Sequence, residues 1–232
     1  MFTVITSLIL ERWKFLGLAA KTLVVAPYII TSRAQANDFG LALPQIDSQK
    51  ESLLESELRR FEKEYQISQS QLQSFRKILQ GVKYSKTPKG VYVDNIPRGI
   101  KVLERVGRLI TRVQGEASVY TGGEGPWDET ATGGPVLDDE FTAALNTRIP
   151  GTRPLLMCAK NIASGEGAYF IADNNGPYKR PGVPHTSRIL DASPELAKKL
   201  GFYEGEKKGK PMGLARIELR YIESLAHLIK KA

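Results

Sequence analysis

From about Val113 onward the chain is a series of short apolar runs cut by turns, and no other feature limits its fold as much. The runs are "EASVYTG", "RPLLMCAKN", "GAYFIAD" and "GLARIELRYI". Each has the length and composition of a strand, and Gly, Pro and Asn separate them. One helix is embedded among them. In "DASPELAKKLGF", Ser193 can cap the helix, Pro194 suits its first position and Gly201 its C-terminal end. Several short strands around one helix predict a mostly β protein built as a small β-barrel.

Upstream the periodicity changes from strand to helix. Ser48-x-x-Glu51 and Ser68-x-x-Gln71 both fit the capping box, in which a serine takes the N3 amide and the acid or amide side chain reaches back. Behind them, Leu54, Leu58, Phe61 and Tyr65 share one face, and Leu72, Phe75, Ile78 and Leu79 share another. Gly81 closes the pair. The spacing predicts an α-helical hairpin that packs on another element, and the stripes are too short to favour a coiled coil. "KTPKGVYVDNIPRG" is a linker or short hairpin. "IKVLERVGRLITRV" has helical spacing, although its β-branched residues and Gly107 suit strands; a short helix is expected there. "ESLAHLIKKA" is expected to close the chain as a short amphipathic helix.

Composition removes several classes of function. The 232 residues are 41% hydrophobic and 25% charged, which suits a globular chain and not a disordered one. The lone Cys158 excludes an internal disulfide framework and a multi-cysteine zinc site, and its apolar setting marks it as a small packing residue. His185 lies in a Pro-rich loop and His227 in a C-terminal run, so no histidine metal site is expected. There is no nucleotide-binding glycine pattern and no serine or cysteine nucleophile motif, and no cofactor is expected.

Residues 1–36 read as a targeting segment. Arg12 and Lys14 precede the apolar run Phe15 to Ile30, and Ala34-Gln35-Ala36 fits a small-x-small cleavage pattern. Export to the periplasm or cell envelope is expected. The run is short for a bilayer and carries Lys21 and Pro27, so a retained membrane anchor at residues 15–30 is the weaker reading. The net charge is +8, and much of it lies between Lys83 and Arg112, where eight Lys or Arg stand against Asp94 and Glu104. Such a stretch is a solvated face or a surface for polyanions.

Five segments taken in order carry a resemblance. They are "GEASVYTGG", "TATGG…FTAALNTRIPGT", "DNNGPY", "RILDASPELAKKLGF" and "GLARIELRYI". Together, from Gly115 to Ile222, they resemble the rare lipoprotein A family of double-psi β-barrel proteins of the bacterial cell envelope. The resemblance implies a six-stranded double-psi β-barrel over residues 113–222. That barrel would follow a targeting segment (1–36) and a helical hairpin with basic linker (37–112), and precede a C-terminal helix (223–232). It also implies contact with peptidoglycan glycan strands. Enzymatic members are lytic transglycosylases, in which one carboxylic acid of raised pKa protonates the glycosidic oxygen and then serves as base.

The chain departs from the family at each site position. The family's acid falls on Asn174, its His on Leu145 and its upstream Glu on Gly134. An amide cannot deliver a proton, and leucine polarises nothing. Asp173 is the one candidate for a relocated acid. Strand alternation would turn it away from the groove unless a bulge or the turn re-aims it. A groove without its acid can still bind sugars through aromatic faces and amides. Tyr120, Trp127, Asn174, Asn175 and Tyr178 are the residues expected along it, with Asp191 at the family's Asp before the helix. The acidic run 138–140 is expected to be a solvated loop. Three readings follow: a barrel that binds peptidoglycan with catalysis weak or lost; an active lytic transglycosylase using Asp173; or a polyanion-binding or scaffold protein. The third acts through the basic stretch and the hairpin, which also offers a surface to a protein partner. Nucleic acid is not the favoured ligand.

Overall fold

The computed structural model describes residues 48–85, 96–107, 109–120, 129–149, 151–180, 183–204 and 213–229. The targeting segment, Trp127, Asp128 and residues 86–95 of the basic stretch lie outside them. Gln49–Ala232 forms one compact unit.

The apolar runs become strands: β1 (Lys101–Val106), β2 (Leu109–Val119), β3 (Thr142–Leu145), β4 (Leu155–Asn161), β5 (Gly167–Asn175), β6 (Tyr178–Arg180), β7 (Val183–Pro184), β8 (Arg188–Ala192) and β9 (Ala215–Ser224). Six of them close on one another in the order β2-β8-β3-β5-β4-β9, and β9 returns to β2. The β2–β8 and β3–β5 pairs are parallel; the other four are antiparallel. The fold is therefore mostly β, a closed six-stranded mixed barrel of the arrangement compatible with a double-psi barrel. β6 and β7 form a separate two-stranded ribbon beyond the end of β5.

Among the described residues, three α-helices accompany the barrel: α1 (Ser48–Tyr65), α2 (Gln69–Gly81) and α3 (Pro194–Lys199). At α3 the sequence signals act as read. Ser193 Oγ accepts the Leu196 amide at 3.2 Å and donates to Glu140 O, Pro194 opens the helix, and Gly201 ends it at φ 74°, a left-handed conformation that suits glycine. Ser68 caps α2 by accepting the Gln71 amide. Its partner departs from the capping box. Gln71 Oε1 takes the Ser68 hydroxyl, while Gln71 Nε2 reaches 3.0 Å to Tyr169 O of β5.

The hairpin's apolar faces join the barrel core in one buried cluster. Leu54, Leu58 and Phe61 of α1, and Leu72, Phe75, Ile78 and Leu79 of α2, are all buried. Each such side chain stabilises the docked state by about 1.5–3 kcal/mol. Polar contacts set the seating. Ser74 Oγ accepts the buried Phe141 amide at 2.7 Å, Lys77 pairs with Glu140, and Arg60 pairs with Glu223 at 2.7 Å.

Three expectations change. "IKVLERVGRLITRV" forms the antiparallel hairpin β1–β2 instead of a helix. Its β-branched residues favour strand, and Gly107 adopts φ 59° at the turn. The long β2 thus starts at Leu109, ahead of Val113, with β1 on the part of its edge that β8 leaves free. The C-terminal segment does not begin as a helix at residue 223. β9 continues to Ser224 because Leu155 of β4 pairs with it, and only a 3₁₀ turn, Ala226–Leu228, follows. The acidic run is not uniformly solvated. Glu140 is buried against α2, with Lys77 as its counter-charge.

Candidate functional site

The stretch that resembles the family's acid motif lies at the end of β5, and the local pairing decides where each side chain goes. β5 runs parallel to β3 with Ala143 opposite Ala172 and Ala144 opposite Asn174. Asp173 is therefore an extra residue, a bulge that breaks the simple alternation of faces. Its side chain is 3% exposed. One carboxylate oxygen accepts the Thr142 hydroxyl. Burial raises its pKa to about 7, while the bond from Thr142 and the nearby Arg153 charge oppose the rise.

Arg153 itself is fully buried. Its Nη1 donates to Gly151 O at 3.0 Å, its Nη2 lies 3.4 Å from Leu145 O and Ile149 O, and its Nε has no partner among the described residues. Burial lowers its pKa to about 9. Tyr120, at the end of β2, adjoins the same cluster. Burial first, then the carboxylates of Asp173, Asp138 and Asp191, hold its phenol well above its ordinary range. Thr142 and Arg153 gave no sign in the sequence of belonging to this cluster.

Asn174 has a different role. Its Oδ1 accepts the amides of Ala131 at 2.9 Å and Asn175 at 2.8 Å. It is thus a clasp between β5 and the loop 129–135. The other side of that loop is held by the residues after α2, since Thr132 O accepts the amides of Lys83 and Tyr84 at 3.1 and 3.2 Å. Asn175 Oδ1 is buried without a partner among the described residues. Gly176–Pro177 is a cis peptide, and the Gly176 amide donates to Leu145 O at 3.2 Å. Tyr178 follows on β6 and is 42% exposed, so its ring is open to a ligand.

Asp191 on β8 completes the corner. It accepts the Ser118 hydroxyl, and a Cβ added to Gly176 would stand 3.7 Å from its Oδ2. Burial raises its pKa, with the Ser118 bond, Arg188 and His185 working against the rise. His185 closes the lip from behind. Its amide donates to Pro177 O at 3.0 Å, and its Nδ1 accepts from the amides of Ser187 and Arg188. The structure thus brings Asn174, Asn175, Tyr178 and Asp191 to one corner, with Tyr120 and Asp173 beneath it; Trp127 lies outside the described residues.

The other two positions at which the resembled family has polar side chains are both buried. Leu145 is fully buried. A Cβ on Gly134 would lie 3.1 Å from Gly81 O at the end of α2. Glu129, a further carboxylate near this loop, pairs with Lys83 at 2.8 Å. Among the described residues at the corner, Asp173 is buried, while Asp191, its pKa also raised, is half-buried beside the half-buried Asn174 and Asn175 and the exposed Tyr178 phenol. Such a surface can hold a polar ligand by hydrogen bonds and stacking. Among the described residues there is no group of three His, Cys, Asp or Glu that could hold a metal, and no helix is long and apolar enough to cross a membrane. Neither a protein-family model nor a curated protein sequence matches the chain.

Proposed function

We propose that this chain is an exported cell-envelope protein of the rare lipoprotein A type whose barrel binds peptidoglycan glycan strands without cutting them. One observation carries the reading. At the position of the family's acid, Asn174 has its Oδ1 engaged by two backbone amides, so the residue fixes the lip of the groove and has no proton to give. The exposed Tyr178 ring beside it offers a stacking surface for a sugar.

A second reading, an active lytic transglycosylase, draws on Asp173. Its pKa of about 7 suits a general acid. Its burial behind the Thr142 hydroxyl works against that role, because a leaving oxygen must come within hydrogen-bond reach.

Incubation of the purified chain with isolated sacculi, followed by centrifugation and mass spectrometry of the supernatant, tests both. Protein in the pellet without soluble fragments is the expected result, and Trp127→Ala with Tyr178→Ala should release it. Anhydro-ended fragments that disappear in Asp173→Asn would replace the binding reading with the catalytic one. Equal pelleting of wild type and the double variant would remove the groove from consideration.

A further inference from the structure

We propose a second binding site, away from Asn174, that takes the C-terminal carboxylate of a short peptide. It lies where β2, β8 and β9 run side by side. Glu116 of β2 sits opposite Arg188 of β8 and opposite Arg216 of β9. Directly paired residues project to the same face of a sheet. Gly99 packs on Ser187 so closely that a Cβ there would meet the Ser187 Cβ at 2.8 Å, and this seats Arg98 beside the same face. The result is a cavity of about 460 Å³, lined by Arg98, Glu116, Ser187, Leu214 and Arg216 among others. That volume is within the range of small-ligand sites.

The lining chemistry selects the ligand. The guanidinium groups of Arg98 and Arg216 are without hydrogen-bond or ion-pair partners among the described residues. Two unpaired planar forks on one cavity fit a carboxylate. Glu116 Oε2 accepts the Ser187 hydroxyl at 2.5 Å, which fixes the carboxylate in place. Its Oε1 has no partner among the described residues and is left to accept an N–H. Leu214, 57% exposed, adds an apolar wall. A carboxylate, a neighbouring N–H and a small apolar side chain occur together at the end of a peptide chain. Inorganic phosphate offers the negative charge alone. The site uses none of the groove residues, so its failure would leave the glycan reading standing.

Calorimetric titration of the full chain with N-acetyl-alanyl-alanine, with its C-terminal amide and with inorganic phosphate tests the assignment. The free acid should bind about tenfold more tightly than either the amide or phosphate. Arg98→Ala and Arg216→Ala should each weaken the acid about tenfold, and Arg216→Lys, which keeps the charge but loses the fork, should fall between. Both arginines are exposed, so unchanged circular dichroism is expected for each variant. Equal affinity for acid and amide, absence of binding at millimolar acid, or phosphate binding as tightly as the acid would each overturn the proposal.

Discussion

Replacing Asp173 with asparagine should flatten the pH dependence of stability between pH 5 and 7. The carboxyl has a pKa near 7 in the fold, against an ordinary value of 3.8. The folded state therefore keeps a proton that the unfolded state has lost over this interval, and stability falls as pH rises through it. The full span is about 4 kcal/mol at 1.36 kcal/mol per pH unit, of which about 2 kcal/mol lies between pH 5 and 7, because the slope halves as the pH reaches the folded pKa. Stability is greatest below the unfolded value and is lost as pH climbs to the folded one. Arg153 stays charged throughout, because its pKa is lowered only to about 9. Asp191 and His185 also titrate away from their ordinary values, but they do so in both proteins and cancel in the difference. Asparagine keeps an oxygen for the Thr142 hydroxyl. Its amide adds a fixed cost of about 1–3 kcal/mol if unpaired, and that cost shifts the curve without tilting it. Urea unfolding of both proteins at several pH values gives the two slopes. Parallel curves from pH 5 to 7 would show that the Asp173 carboxyl is not shifted, and the buried cluster would lose its electrostatic basis.

Ser74→Ala should destabilise the chain by about 1–3 kcal/mol, because the buried Phe141 amide would lose its acceptor; urea unfolding reads this directly. Gly134→Glu, which places an acid where the resembled family has one, should cost more than about 3 kcal/mol, since its Cβ meets Gly81 O at 3.1 Å and its charge would be buried. A thermal melt of Gly134→Glu equal to wild type would contradict that packing.

What the sequence showed depended on how local each cause was. The helix α3 was legible because Ser193, Pro194 and Gly201 act within a few residues of themselves. The hairpin faces were legible because their period repeats over two or more turns. β1 misled because it lies mostly exposed at the sheet edge, so the alternation that marks a half-buried strand is absent and the helical spacing remains. The bulge at Asp173 was raised as a condition but not placed, since it depends on the register of β3 against β5. Glu140 was misjudged for a similar reason. Its partner Lys77 is 63 residues away, and a run of acids looks solvated until the element that covers it is known.

The hairpin and the altered site are physically connected. The loop 129–135 is held on one side by Asn174 and on the other by the backbone of Lys83 and Tyr84. Gly81 also packs on Pro135, 3.1 Å from the Cβ it would carry, and against Gly134. A side chain at position 134 would crowd the Gly81 carbonyl at the end of α2. The chain has the helix, and with it a loop 129–135 held from both sides. On the binding reading, a fixed loop favours affinity, because a preformed surface loses less entropy when it meets a ligand. It works against an acid that must reach a bond deep in a bound strand. On the binding reading, the hairpin is therefore part of the site, and loosening its dock should weaken sacculus binding even where no groove residue is touched. Ser74→Ala is the variant that separates these effects. Its chain, still folded, should pellet less than wild type, and undiminished pelleting would mean that the lip holds its shape without the helices.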